Sequence, residues 1–213
     1  MKLYQYHHCP YCVRADMVAN YKQVPHEKVY LLNDDEQTCF GLINAKMVPI
    51  LQFDDGSAMG ESLDIVAKLD AMGNSTRPIS PQIWSASVLA QFDGVAAAIR
   101  YLLFPRNLKL GLPEFATQSA CDYFQTKKEK LMNTSFDKAW NDTAVHLALV
   151  NEMLACLPEL PIQSHLSMDD VLVYPMLRNL SMVKDIAFKA QTTAYLTHIA
   201  TLTETDLYFD KAI

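Results

Sequence analysis

Positive charge is the scarcer sign in this sequence: 18 lysines and arginines stand against 24 aspartates and glutamates, for a net charge of −6. No basic stripe is left to neutralise phosphates, which argues against nucleic acid as a partner. The nearest basic cluster, Lys127, Lys128 and Lys130, is interrupted by Glu129 and reads as a solvated helix face. Long apolar runs are lacking too. Nothing approaches the roughly 18 uninterrupted apolar residues of a membrane span; the best stretch, Val88 to Phe104, contains Gln91, Asp93 and Arg100. The first eight residues hold no apolar core of a secretory signal. Cysteines number five, an odd count that fits a reducing compartment better than a disulfide scaffold, so the cytoplasm is the expected location. A glycine-rich nucleotide-binding motif, an internal repeat and a low-complexity segment are all absent.

What is present begins at Cys9-Pro10-Tyr11-Cys12. Leu3 to Tyr6 reads as a short strand and Val13 to Tyr21 as a helix, the context a redox Cys-x-x-Cys requires. The first cysteine then sits at a helix N-terminus, where unpaired N–H groups and the helix dipole favour a thiolate. Pro10 suits the first helical position because its φ is preset and it has no N–H to leave unsatisfied. Zinc is the sharper rival, since His7 and His8 precede Cys9. Structural zinc wants four ligands, however, and His26, His146, His165 and His198 are scattered singly with no second Cys-x-x-Cys. No metal site is expected.

The chain divides by pattern. Residues 1–72 alternate strands and helices in the order βαβαββα, which implies a mixed sheet covered by helices. Strands are expected at Pro25 to Leu31 and Val48 to Phe53, a hairpin at Asp54-Asp55-Gly56, a fourth strand from Ala58, and helices over Glu36 to Asn44 and Ser62 to Met72. Residues 73–83 have linker composition, including Gly73, Asn74, Pro78 and Pro81. Residues 84–213 show only helical spacing: Trp84 to Lys109, Pro113 to Met132, Phe136 to Leu157, Met168 to Val183 and Ala187 to Thr203, with Pro105 and Pro175 expected to kink or break two of these. Ser167 and Asp170 form a capping-box signature, a folding signal rather than a catalytic one.

A thiol–disulfide site also needs groups that hold its substrate. Val48-Pro49 precedes a strand; statistics favour a trans bond, and a cis bond would free the Val48 backbone to pair with an extended ligand. Ser62 taken alone reads as a helix cap. With Glu61 it also offers a hydroxyl, free N–H groups and a carboxylate for a ligand carrying both an anion and an amine.

In this order, Cys9-Pro10-Tyr11-Cys12, Val48-Pro49 and Glu61-Ser62-Leu63-Asp64-Ile65 resemble a glutaredoxin domain on the thioredoxin fold. The whole chain, through Tyr174-Pro175-Met176-Leu177-Arg178-Asn179-Leu180 to Lys211-Ala212-Ile213, is similar to the bacterial glutaredoxin 2 type. There, an α/β thioredoxin-like N-terminal domain is followed by an all-α, glutathione-transferase-like domain. The resemblance implies Cys9 as nucleophile and Cys12 as resolving thiol. It also implies glutathione bound along Pro10, Tyr11, Val48 and a cis-Pro49, with Glu61 and Ser62 on its γ-glutamyl end. Lys46 is a candidate for the other glutathione carboxylate and His8 for the thiolate. Expected partners are glutathione, as reductant and co-substrate rather than a resident cofactor, and disulfide-bonded or glutathionylated proteins; a monomer is expected. Two alternatives stand beside this disulfide oxidoreductase: a glutathione transferase using a Ser or Tyr hydroxyl, with Tyr4, Tyr6 and Tyr11 as candidates, and a non-enzymatic iron–sulfur carrier or interaction module.

Overall fold

A computed structural model describes residues 1–213. Four strands, β1 (Lys2–Gln5), β2 (Glu27–Tyr30), β3 (Ile50–Gln52) and β4 (Ala58–Met59), form one sheet in the order β2-β1-β3-β4. β1 and β2 are parallel and the other pairs antiparallel, the mixed sheet expected. The β1–β3 register puts Leu3 beside Leu51 and Tyr4 beside Ile50. Because side chains alternate across a strand, Leu3 and Leu51 face the helices α1 (Pro10–Tyr21) and α3 (Ser62–Met72), in the larger core. Ile50 faces the other way, onto Leu31 and Cys39 of α2 (Glu36–Ile43).

The second half is helical throughout: α4 (Ser85–Gly94), α5 (Ala96–Lys109), α6 (Gln118–Met132), α7 (Phe136–Asn141), α8 (Thr143–Cys156), α9 (Met168–Leu180) and α10 (Ala190–Thr203). Three expected helices are each divided in two. Trp84 to Lys109 breaks after Gly94, and α4 and α5 meet at 76°. Pro113–Phe115 is a separate 3-10 turn before α6, and Asp142 separates α7 from α8. Pro105 and Pro175, by contrast, lie inside α5 and α9 without ending them. Next to the first of these, the Arg106 guanidinium folds back on its own helix and donates to the Leu102 carbonyl at 2.8 Å. No single helix is long and apolar enough to cross a membrane.

α9 is the central post. Its capping box forms as expected, Ser167 Oγ accepting from the Asp170 N–H at 3.1 Å and Asp170 accepting from the Ser167 N–H at 2.9 Å. Tyr174, Leu177 and Leu180 are fully buried on it, each worth about 1.5–3 kcal/mol of burial. Asp169 turns outward to accept from the N–H groups of Ile83, Trp84 and Ser85 at 2.8–3.0 Å, so one carboxylate fixes the start of α4. α9 packs against α1, and a single hydrophobic core runs from Leu3 to Tyr208 through both halves. That contact carries the helical half to the Cys-x-x-Cys segment.

Candidate active site

Cys9 occupies the N-cap of α1, Pro10 its first turn, and Cys12 is buried one turn on. No side chain caps this helix, whereas α2, α6, α7 and α9 begin on Asp35, Thr117, Ser135 and Ser167. The free N–H groups at the start of α1 therefore face the Cys9 sulfur. The Cys9 thiol is lowered to about 6, chiefly by the hydrogen bond from Cys12; burial works against this, and His8 and the N–H groups of Cys12 and Tyr11 assist it. Burial pushes Cys12 well above its ordinary range; its Sγ accepts from the Tyr6 N–H at 3.4 Å. All five cysteines are free thiols. One sulfur is thus set up as a thiolate and its neighbour as the proton-bearing partner, the asymmetry that disulfide exchange requires.

The residues just before Cys9 are held from the other half of the molecule. Glu114, fully buried in the 3-10 turn, accepts from the His8 N–H at 3.0 Å and pairs with His8 Nδ1 at 2.5 Å. Burial alone would raise the Glu114 carboxyl; the bonds from His8 more than offset it and hold the group below its usual range. Asn179 donates to the His8 carbonyl at 2.6 Å and Arg178 to the His7 carbonyl at 3.1 Å. The His7 ring meets the Tyr208 hydroxyl at 2.7 Å. Both imidazoles are thereby engaged by the helical half. None of Glu114, Arg178, Asn179 or Tyr208 is identifiable as a site residue from sequence; Arg178 and Asn179 lie in a stretch that carries the family resemblance but has no evident chemistry of its own.

Two clefts open at the start of α1, and the second of them reaches Cys9. The first, about 480 Å³, is lined by Tyr11, Arg14, Met47, Val48, Pro49, Glu61 and Ser62, with Leu63 and Asp64. The Val48–Pro49 bond is cis. Glu61, not Ser62, is the N-cap of α3, at φ 62°, and no side chain caps this helix either; the cap reading of Ser62 gives way to one in which the α3 N–H groups open into the cleft. Six of the residues implied by the resemblance, Tyr11, Val48, Pro49, Glu61, Ser62 and (through the second cleft) Pro10, border these spaces beside Cys9. Arg14 joins them unforeseen, with its guanidinium 4.9 Å from the Tyr11 ring centroid.

The second cleft, about 490 Å³, lies between the halves and reaches Cys9, Pro10, Tyr11 and Val48 from the side of α5 and α6. Lys46 is on its wall, its Nζ donating to the Tyr6 hydroxyl at 2.8 Å and the Asp35 carbonyl at 2.9 Å. Burial pushes the Tyr6 hydroxyl upward, so it stays a phenol. Lys127 and Lys128 also line this cleft, which corrects their reading as a plain solvated face.

Comparison with known proteins gives a consistent result. Residues 87–212 match the family model described as Glutaredoxin 2, C terminal domain, and residues 3–76 that of Glutathione S-transferase, N-terminal domain. The chain is 36% identical to glutaredoxin 2 of Escherichia coli K12, each covered over 100% of its length. It superimposes on the crystal structure of glutaredoxin 2 from Salmonella typhimurium in complex with glutathione with a TM-score of 0.90, at 36% identity, covering 100% of this chain and 98% of that one. A glutathione transferase of Phanerochaete chrysosporium, 11% identical with a TM-score of 0.61 over 96% and 98% of the two chains, shares the fold.

Proposed function

The chain belongs to the glutaredoxin 2 family of glutathione-dependent disulfide oxidoreductases, and on that premise we propose that Cys9 is its nucleophile and Cys12 its resolving thiol. The observation that carries this assignment is the position of Cys9 at the N-cap of α1, a helix start that no side chain caps, with Cys12 buried one turn on. The Cys9 thiolate attacks the glutathione sulfur of a mixed disulfide, releasing the substrate thiolate and leaving glutathione bound to Cys9. A second glutathione then attacks that disulfide, freeing oxidised glutathione and restoring Cys9; with a protein disulfide as substrate, Cys12 attacks the Cys9–protein mixed disulfide instead, releasing the reduced protein, and two glutathiones then reduce the Cys9–Cys12 disulfide. Glutathione occupies the first cleft. Its γ-glutamyl carboxylate meets the N–H groups of α3 and the Ser62 hydroxyl, its amine faces Glu61, and its backbone runs along Val48, Pro49 and Tyr11. The Salmonella relative was crystallised with glutathione, which supports this use of the cleft. Electrons drawn from the reduced glutathione pool suit a cytoplasmic protein, acting as a monomer. A transferase would need a hydroxyl poised on the glutathione sulfur; Tyr6 is kept protonated by burial and already bonds Asn33 and Lys46.

The test is reduction of a small glutathione mixed disulfide, with glutathione, glutathione reductase and NADPH. Wild type should turn over, Cys9→Ser should be inactive, and Cys12→Ser should keep activity because glutathione can replace its role. Activity surviving in Cys9→Ser would refute the assignment.

A further inference from the structure

The second cleft has a charge that glutathione does not explain. Its walls carry Lys46, Arg100, Lys127 and Lys128 and no aspartate or glutamate, in a chain whose net charge is −6. Lys127 is answered by Glu36 at 3.4 Å. Lys46 is engaged by two neutral oxygens, the Tyr6 hydroxyl and the Asp35 carbonyl. Arg100 and Lys128 remain, neither paired with a carboxylate. Arg100 is exposed on α5. Lys128 is half-buried on α6, its ammonium 4.9 Å from the Phe104 ring centroid and 5.5 Å from that of Phe124. Phe124 in turn meets the His8 ring edge-on at 5.4 Å, one residue from the nucleophile. A half-buried cation supported by ring faces alone is attracted to an incoming anion more strongly than a solvated one.

Position defines which part of the substrate meets these charges. Tyr11 and Val48 border both clefts, so a mixed disulfide with its glutathione half in the first cleft directs its other half into the second. Resting on the oxidoreductase reading, we propose that this cleft holds the leaving half of a glutathionylated protein, and that Arg100 and Lys128 select proteins whose modified cysteine is flanked by aspartate or glutamate. Ile99, Leu103 and Phe104 give the same wall an apolar floor for the peptide. The exchange is unchanged in its balance: the Cys9–glutathione disulfide forms as the substrate disulfide breaks, and the substrate leaves as a thiolate that takes its proton from water.

Three glutathionylated peptides, identical except for two Glu, two Gln or two Lys on each side of the cysteine, test this at low ionic strength. With wild type, kcat/KM should be about tenfold higher for the acidic than for the basic peptide. That ratio should collapse towards unity in about 0.5 M salt and in the double variant Arg100→Gln, Lys128→Gln. Arg100→Gln alone, at an exposed position, should lower it part of the way and guards against misfolding of the double variant. Equal rates for the three peptides with wild type overturn the proposal while leaving the oxidoreductase intact. A ratio that persists in both variants and in salt also overturns it. If wild type reduces neither the peptides nor a small mixed disulfide, the oxidoreductase reading itself fails.

Discussion

At the scale of single residues, reactivity is decided by one hydrogen bond and one helix end. Cys9 is lowered to about 6 mainly because Cys12 donates to it. Above that pH Cys9 is a thiolate; below it the sulfur is protonated and unreactive. Alkylation of the Cys9 peptide, followed by mass spectrometry as pH is varied, should therefore show a midpoint near 6 in wild type. Cys12→Ala removes the donor and should move the midpoint up towards the ordinary thiol value of roughly 8.5. A midpoint that stays put would show that the helix N-terminus and His8 suffice without Cys12. This pair is legible in the sequence because the relation is local: two cysteines three apart, a proline between them and a helical pattern after them. Glu114 is not legible, because its partner His8 lies 106 residues earlier and one glutamate at the start of an expected helix carries no signature of burial.

At the scale of elements, most segments announce themselves and their exact joints do not. α3 runs over Ser62–Met72 as its apolar positions Ile65, Val66 and Leu69 imply. The Ser167–Asp170 box forms where the pattern asks for it. The break between α4 and α5 is hidden because apolar spacing continues across Gly94 and Val95, and only tertiary packing decides a 76° turn. Pro105 misleads in the opposite direction, since α5 continues through it. The α3 entry carries a cost that sequence does not display. Glu61 sits at φ 62° and ψ 108°, a region that costs a non-glycine residue on the order of 1–3 kcal/mol and glycine little. Glu61→Gly should therefore raise Tm by about 2–4 °C, once the greater freedom of the unfolded glycine chain is subtracted. The same change should raise KM for glutathione about tenfold by deleting the carboxylate proposed to face its amine. A fall in Tm would mean the backbone is relaxed at Glu61; an unchanged KM would remove Glu61 from the glutathione contacts.

At the scale of the whole molecule, the two halves are joined by polar contacts at the entrance to α1, and these give the fold a dependence on acid. His7 packs, half-buried, against Tyr208, whose hydroxyl it meets at 2.7 Å. Burial lowers its pKa from the ordinary 6.5 to about 4, with Arg178 and Lys211 pushing the same way and Glu114 and Asp206 opposing. In the unfolded chain the imidazole takes up its proton near 6.5, while in the folded protein it does so only near 4. Between those values the unfolded state binds the extra proton, so stability falls as pH falls and levels off below both. The shift corresponds to about 3 kcal/mol across that window. His7→Gln keeps a polar side chain beside Tyr208 but has nothing to titrate. It should lose less stability than wild type between pH 7 and 4, by about 6 °C or more in Tm, whatever its stability at neutral pH. The carboxylates that also titrate over this range are common to both proteins and cancel in the comparison. Parallel melting curves for the two proteins across the series would show that His7 is protonated in the fold without penalty. The acid sensitivity would then belong to other groups, and the polar joint at the entrance to α1 would not be its source.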